Sequence, residues 1–169
     1  VEAENRGVEV VATTEDPVEV FDWSRWEIIR EVLLMDGCQM PKRKQVPLLD
    51  THYRGDTSSV IGSFRQMRVE DDSLIGRSFF SSVPEAEGPW TKLREGHLTD
   101  FSVGYRVHEY EWIDEGKTAT IQGRRFEGPL RVVTRWVPKE LSICPIGADE
   151  RAKVRSESKP LPQPKEAKA

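Results

Sequence analysis

The sequence predicts a mainly β fold with one or two helices: a barrel or sandwich with helical decoration. Three observations carry this. Short runs rich in β-branched and aromatic residues recur along the chain. Gly, Asp and Pro signals separate them, and few segments carry a helix start. The chain has 169 residues, 37% hydrophobic and 32% charged, which suits one globular domain with a modest core and irregular ends.

Residues 1–7 are polar and read as a loose N-terminus; residues 8–155 read as the folded domain. Residues 8–13 form a first strand, and 18–21 a second short apolar run. Residues 23–34 fit either a helix capped by Asp22 or Ser24, or a strand from Trp26 on. Asp36-Gly37 marks a turn, and Pro41 to Lys44 a basic surface loop. Residues 46–52 form a strand that delivers Asp50 and His52 to its end.

Residues 60–69 and 73–81 predict a hairpin about Glu70, Asp71 and Asp72. Ser82 as cap, Pro84 in the first turn and nearby acids predict a helix, which Gly88-Pro89 breaks or resets and Gly96 stops. A long strand follows from about Asp100 to Trp112. Its period of two puts Phe101, Val103 and Tyr105 on one face and Ser102 and Gly104 on the other. Residues 118–122, 130–137 and 140–144 predict further strands, with Pro138 as an interruption. Residues 149–155 predict a short helix, and 156–169 a disordered Pro/Lys/Glu-rich tail.

Composition narrows function. No stretch reaches the ~18 apolar residues of a membrane helix, and no secretory signal is visible. A net charge of −4 argues against a general nucleic-acid binder. Cys38 and Cys144 lie far apart in no CxxC spacing, so two free thiols in a reducing compartment are expected, with one bridge between them as the alternative.

The candidate chemistry centres on Ser102. A serine hydroxyl needs a base to become a nucleophile, and that base needs an orienting acid. His52, at a strand end beside a loop, could supply the base, and Glu140 or Asp50 the acid. His97, at a helix end, reads as stabilising that terminus or simply facing solvent. His108 is six residues along the Ser102 strand, roughly 20 Å away and out of reach. Arg124-Arg125 could stabilise an oxyanion but fits a solvated turn better. A metal-dependent hydrolase would need His52, His97 or His108 to meet around an ion, and no HExxH or HxH spacing supports it.

Several motifs together extend this reading: residues 46–52, Ile61-Gly62, Gly96 through Tyr105, Lys139 to Ile143, then Ala148 and Ala152. In order and spacing the series resembles the prohead (capsid maturation) serine proteases of HK97-type tailed bacteriophages, relatives of the herpesvirus assemblins. The resemblance covers residues 8–154. It implies an assemblin-like β-barrel with flanking helices. It also implies a serine endopeptidase with Ser102 as nucleophile, His52 as base and Glu140 as third member.

Such proteins cut the scaffold and the capsid-protein N-terminal arm, and themselves, during procapsid maturation. The implied partners are therefore a scaffold protein or scaffolding segment, the major capsid protein and further copies of the chain. No cofactor, membrane or direct nucleic-acid partner is implied. The implied location is the host cytoplasm, inside the assembling procapsid. The alternative is a non-catalytic β-barrel module that binds capsid or scaffold, with Ser102 and His52 as ordinary polar strand positions.

Overall fold

The computed structural model describes residues 6–155. The expected tail, and most of the expected loose N-terminus, lie outside the described residues. The order is β1 (Gly7–Thr14), β2 (Val18–Asp22), β3 (Glu27–Leu33), β4 (Gln45–Asp50), β5 (Val60–Glu70), β6 (Ser73–Phe80), α1 (Pro84–Arg94), β7 (Asp100–Ile113), β8 (Thr118–Ile121), β9 (Arg124–Glu127) and β10 (Leu130–Cys144). The fold is mainly β, as expected, with one α-helix among the described residues.

β10 is the spine. β7 pairs antiparallel along its length, from Leu130↔Ile113 to Cys144↔Asp100. Its other edge is shared: β3 runs parallel to its first part and β4 to its last. From β4 the sheet continues through β5 and β6 to β1, and from β3 to β2. β8 and β9 form a separate hairpin that packs Ile121 and Phe126 against Val32, Leu34, Leu130 and Val132.

The period-two reading of β7 holds. Phe101 is fully buried, and Val103 and Tyr105 pack against the main core. Trp136 on β10 anchors that core at 0% exposure. Its indole N–H donates to the Leu34 carbonyl at 2.9 Å, so the ring is buried without leaving its polar atom unpaired. α1 buries Ala86, Trp90 and Leu93, spaced four and three residues apart on one helical face. Trp90 packs on Phe80 of β6, ring centroids 5.1 Å apart.

Four local expectations are corrected. The expected serine cap is absent: Val83 occupies the N-cap with no side-chain bond. The helix also runs through Gly88-Pro89: Pro89 is its sixth residue and gives up one i→i−4 backbone bond, while burial of Ala86, Trp90 and Leu93 on both sides of it holds the helix together. Residues 130–144 are one strand, not two: a register shift between Pro138 and Glu140 absorbs the missing N–H. β9 falls where only a connection was expected.

The expected helix over 149–155 is instead a turn followed by bridges from Lys153 to Asp100 and from Val154 to Val10. Buried Ala152 and partly buried Val154 alternate with exposed Lys153 and Arg155, a period of two that a helix cannot bury. This segment lies between β1 and β7, with Val11 N–H bonded to the Lys153 carbonyl and Phe101 N–H to the Ala152 carbonyl, both at 2.9 Å. No strand ladder joins β1 to β7 or to β2, so the sheet is open. In place of the expected closed barrel with flanking helices, the described residues form an open sheet with one α-helix.

Candidate functional site

The site lies where β4 ends beside the last part of β10. Leu48, Leu49 and Asp50 pair parallel with Leu141, Ser142 and Ile143. Directly after this pairing the chain turns sharply. Thr51 and His52 both take left-handed backbone conformations, φ 48° and 59°. Such conformations cost non-glycine residues of order 1–3 kcal/mol each and persist only where surrounding bonds fix them. Here the Thr51 N–H donates to the Ile143 carbonyl at 3.0 Å. The His52 N–H donates to Ser142 Oγ at 2.9 Å.

This turn aims the His52 ring at Glu140. His52 Nδ1 lies 2.5 Å from Glu140 Oε1. An ionised carboxylate only accepts, so Nδ1 is the donor in this contact. The Glu140 side chain is 2% exposed and that of His52 41%. Ser142 donates its hydroxyl to Glu140 Oε2 at 2.8 Å, and Arg54 Nη2 stands 3.5 Å from Oε1. A buried carboxylate thus has a partner at each oxygen.

Gly104 makes room for it. A Cβ there would lie 2.2 Å from Glu140 Oε1 and 2.6 Å from Arg54 Nη2. Beside this cluster a shallow groove of about 390 Å³ is lined by Leu49, Arg54, Thr57, Val60, Lys139 and Glu140.

The structure thus brings two of the expected residues, His52 and Glu140, into direct contact. Ser102 lies across the β7–β10 ladder from Ser142, as Gly104 lies across from Glu140. Opposed residues share a face of a sheet, so Ser102 is on the Glu140 face. Among the described residues, the hydrogen bonds of His52 go to Glu140 and Ser142, and none joins it to Ser102.

Asp50, the other candidate acid, is exposed and accepts from the Thr51 hydroxyl at 2.8 Å. His97 pairs with Glu95 at 3.6 Å near the end of α1, and Arg124 pairs with Glu15. Cys38 and Cys144 are both free thiols. Among the described residues no three His, Cys, Asp or Glu side chains cluster to hold a metal ion.

Sequence reasoning missed Ser142, which joins the His52 backbone to the Glu140 side chain. The signal was present: Glu140 and Ser142 are two residues apart on a strand and so share a face.

Comparison with known proteins finds a similarity to a viral protein. The chain is 32% identical over 145 residues to the major capsid protein of Halomonas phage phiHAP-1, an overlap of 82% of this chain. It spans about a fifth of that relative's length (21%). No protein-family model and no solved structure matches the chain.

What the comparison shows is likeness of most of this chain to a short part of a bacteriophage major capsid protein. It also overturns the expectation of a prohead serine endopeptidase: the matching relative is named a major capsid protein, not a protease. The expected hydrolase activity and protease membership are corrected accordingly.

Proposed function

We propose that the chain is a non-catalytic β module that binds capsid protein or scaffold during assembly of a phage shell. The similarity to a major capsid protein over most of the chain carries this reading. In it, the His52–Ser142–Glu140 cluster is a polar strap. It fixes the turn after β4 in a strained but defined shape and so holds Arg54 at the groove. Apolar Pro47, Leu49 and Val60, with Arg54 and Lys139 set beside Asp56 and Glu140, suit an extended segment carrying aliphatic side chains and charges of both signs. The module acts in the host cytoplasm, where shells assemble, and further copies of the chain are among its partners.

Co-sedimentation tests the reading. The purified chain is mixed with its cognate capsid and scaffold proteins under assembly conditions, and shells are pelleted. The chain is expected in the pellet at saturable stoichiometry, with about tenfold weaker retention for the Arg54→Glu/Lys139→Glu double variant. A chain that stays in the supernatant while shells form contradicts the proposal.

A further inference from the structure

The β2–β3 hairpin presents an apolar ridge that the intramolecular packing does not use. Trp23 is 76% exposed, Trp26 73%, Ile28 66% and Phe21 41%. These are not scattered residues. Phe21 and Ile28 are cross-strand partners, and Trp23 and Trp26 sit in the connecting turn. The three rings pack on one another edge to face, with centroids 4.8, 5.4 and 5.6 Å apart. Isolated exposed apolar side chains are ordinary, but a contiguous aromatic patch marks an interaction surface.

The ridge is held in shape. Asp22 Oδ1 accepts from the Ser24 N–H at 2.8 Å, the Ser24 hydroxyl at 2.6 Å and the Arg25 N–H at 3.2 Å. Asp22 Oδ2 accepts from Arg131 at 2.9 Å, and Arg25 stacks over Trp112 at 3.9 Å. A preformed ridge loses little entropy on docking. Beside it, β2 ends the strand path, and its outer backbone pairs with no other strand among the described residues.

We infer that this hairpin is a self-association face, on which a second copy of the chain docks through β2 and the aromatic ridge. Charge selects the occupant. The exposed charged positions of the hairpin are Glu19 and Glu27 against Arg25 and Arg30, two of each sign. Such a face complements a copy of itself better than a strongly charged partner. Register agrees. Antiparallel pairing of two β2 strands about Val20 sets Glu19 against Phe21 and Val18 against Asp22, with no like charges opposed. Area agrees as well. At roughly 150–250 Å² for each aromatic, scaled by the exposures above, the three rings offer roughly 300–500 Å², and Ile28 with the open β2 backbone edge extends this toward the roughly 800 Å² per partner of a standard interface. The inference does not depend on shell binding.

Sedimentation equilibrium over a concentration series tests it, with hydrogen exchange read at the β2 amides. The expected result is reversible dimerisation and slowed exchange in β2 as concentration rises. The Trp23→Ser/Trp26→Ser variant, altered where side chains are already exposed, is expected to raise the dissociation constant at least about tenfold. Ile146→Ser, at an 86% exposed apolar position elsewhere, is expected to leave it unchanged. A monomer at every concentration overturns the inference. So does dimerisation insensitive to the double variant or equally weakened by Ile146→Ser, or a monomer whose tryptophans instead bind zwitterionic phospholipid vesicles.

Discussion

Ser102 lies directly across the β7–β10 ladder from Ser142, the residue whose hydroxyl accepts from the His52 backbone and donates to Glu140. The two serines are thus directly opposed in the ladder, and among the described residues only Ser142 takes part in the hydrogen bonds of the cluster.

Ser142→Ala tests the strap. Ser142 is fully buried, and the variant leaves the His52 N–H and one Glu140 oxygen short of a partner. Leaving buried polar groups unpaired costs about 1–3 kcal/mol. Urea denaturation should show a loss of that order. Ser102→Ala, which removes no hydrogen bond of the cluster, should cost less.

Gly104→Ala tests the close approach of β7 to Glu140. The added methyl would sit 2.2 Å from Glu140 Oε1, and the carboxylate is buried and cannot swing into solvent. Overpacking of this kind costs about 1–3 kcal/mol. Nitrogen NMR of the imidazole should show the Nδ1-protonated tautomer of His52 in the native chain and its loss in the variant. An unchanged tautomer would show that Glu140 does not orient the ring.

Much of this was legible in advance. The alternation of Phe101, Ser102, Val103, Gly104 and Tyr105 marked β7 and its two faces. The polar end of the 46–52 run marked His52 as lying at a strand end; that β10 runs beside it was shown only by the structure. Pro138 misled, because a proline at a strand bulge looks in sequence like a strand end. Residues 149–155 misled because so short a polar segment supports either period until its neighbours are known. The aromatic ridge was hidden in the ambiguous 23–34 stretch, where exposure could not be read from residue type. The motif series around Ser102, His52 and Glu140 suggested an enzyme. The arrangement of strands that brings His52 to Glu140 does not by itself make one.

Acid should loosen the hairpin turn. The Ser24 hydroxyl bonded to Asp22 is the largest influence on its carboxyl, which is held below the ordinary value of 3.8 despite burial; the Arg25 and Ser24 amides and Arg131 act in the same direction. A lowered folded pKa contributes stability that is fully present above the ordinary value and lost as pH falls through the folded one. Asp22→Asn should therefore be less stable than the native chain near neutral pH. The difference should shrink as pH drops below 3.8. Thermal unfolding followed across that range checks the sign.

The thiols should be inert. Burial pushes Cys38 up to about 12. Burial first, then the Asp100 and Glu140 carboxylates, push Cys144 up to about 11. The thiolate is the reactive form, so iodoacetamide near neutral pH should label both cysteines slowly in the native chain and rapidly in denaturant. Rapid labelling of either native thiol would contradict the packing around it.

The most direct measurement of the non-catalytic assignment is intact-mass spectrometry of the cognate capsid and scaffold proteins after incubation with this chain under assembly conditions. Unchanged masses for every component, together with retention of the chain on the shells, are the expected result. Discrete capsid or scaffold fragments that vanish when the chain carries Ser102→Ala would contradict it.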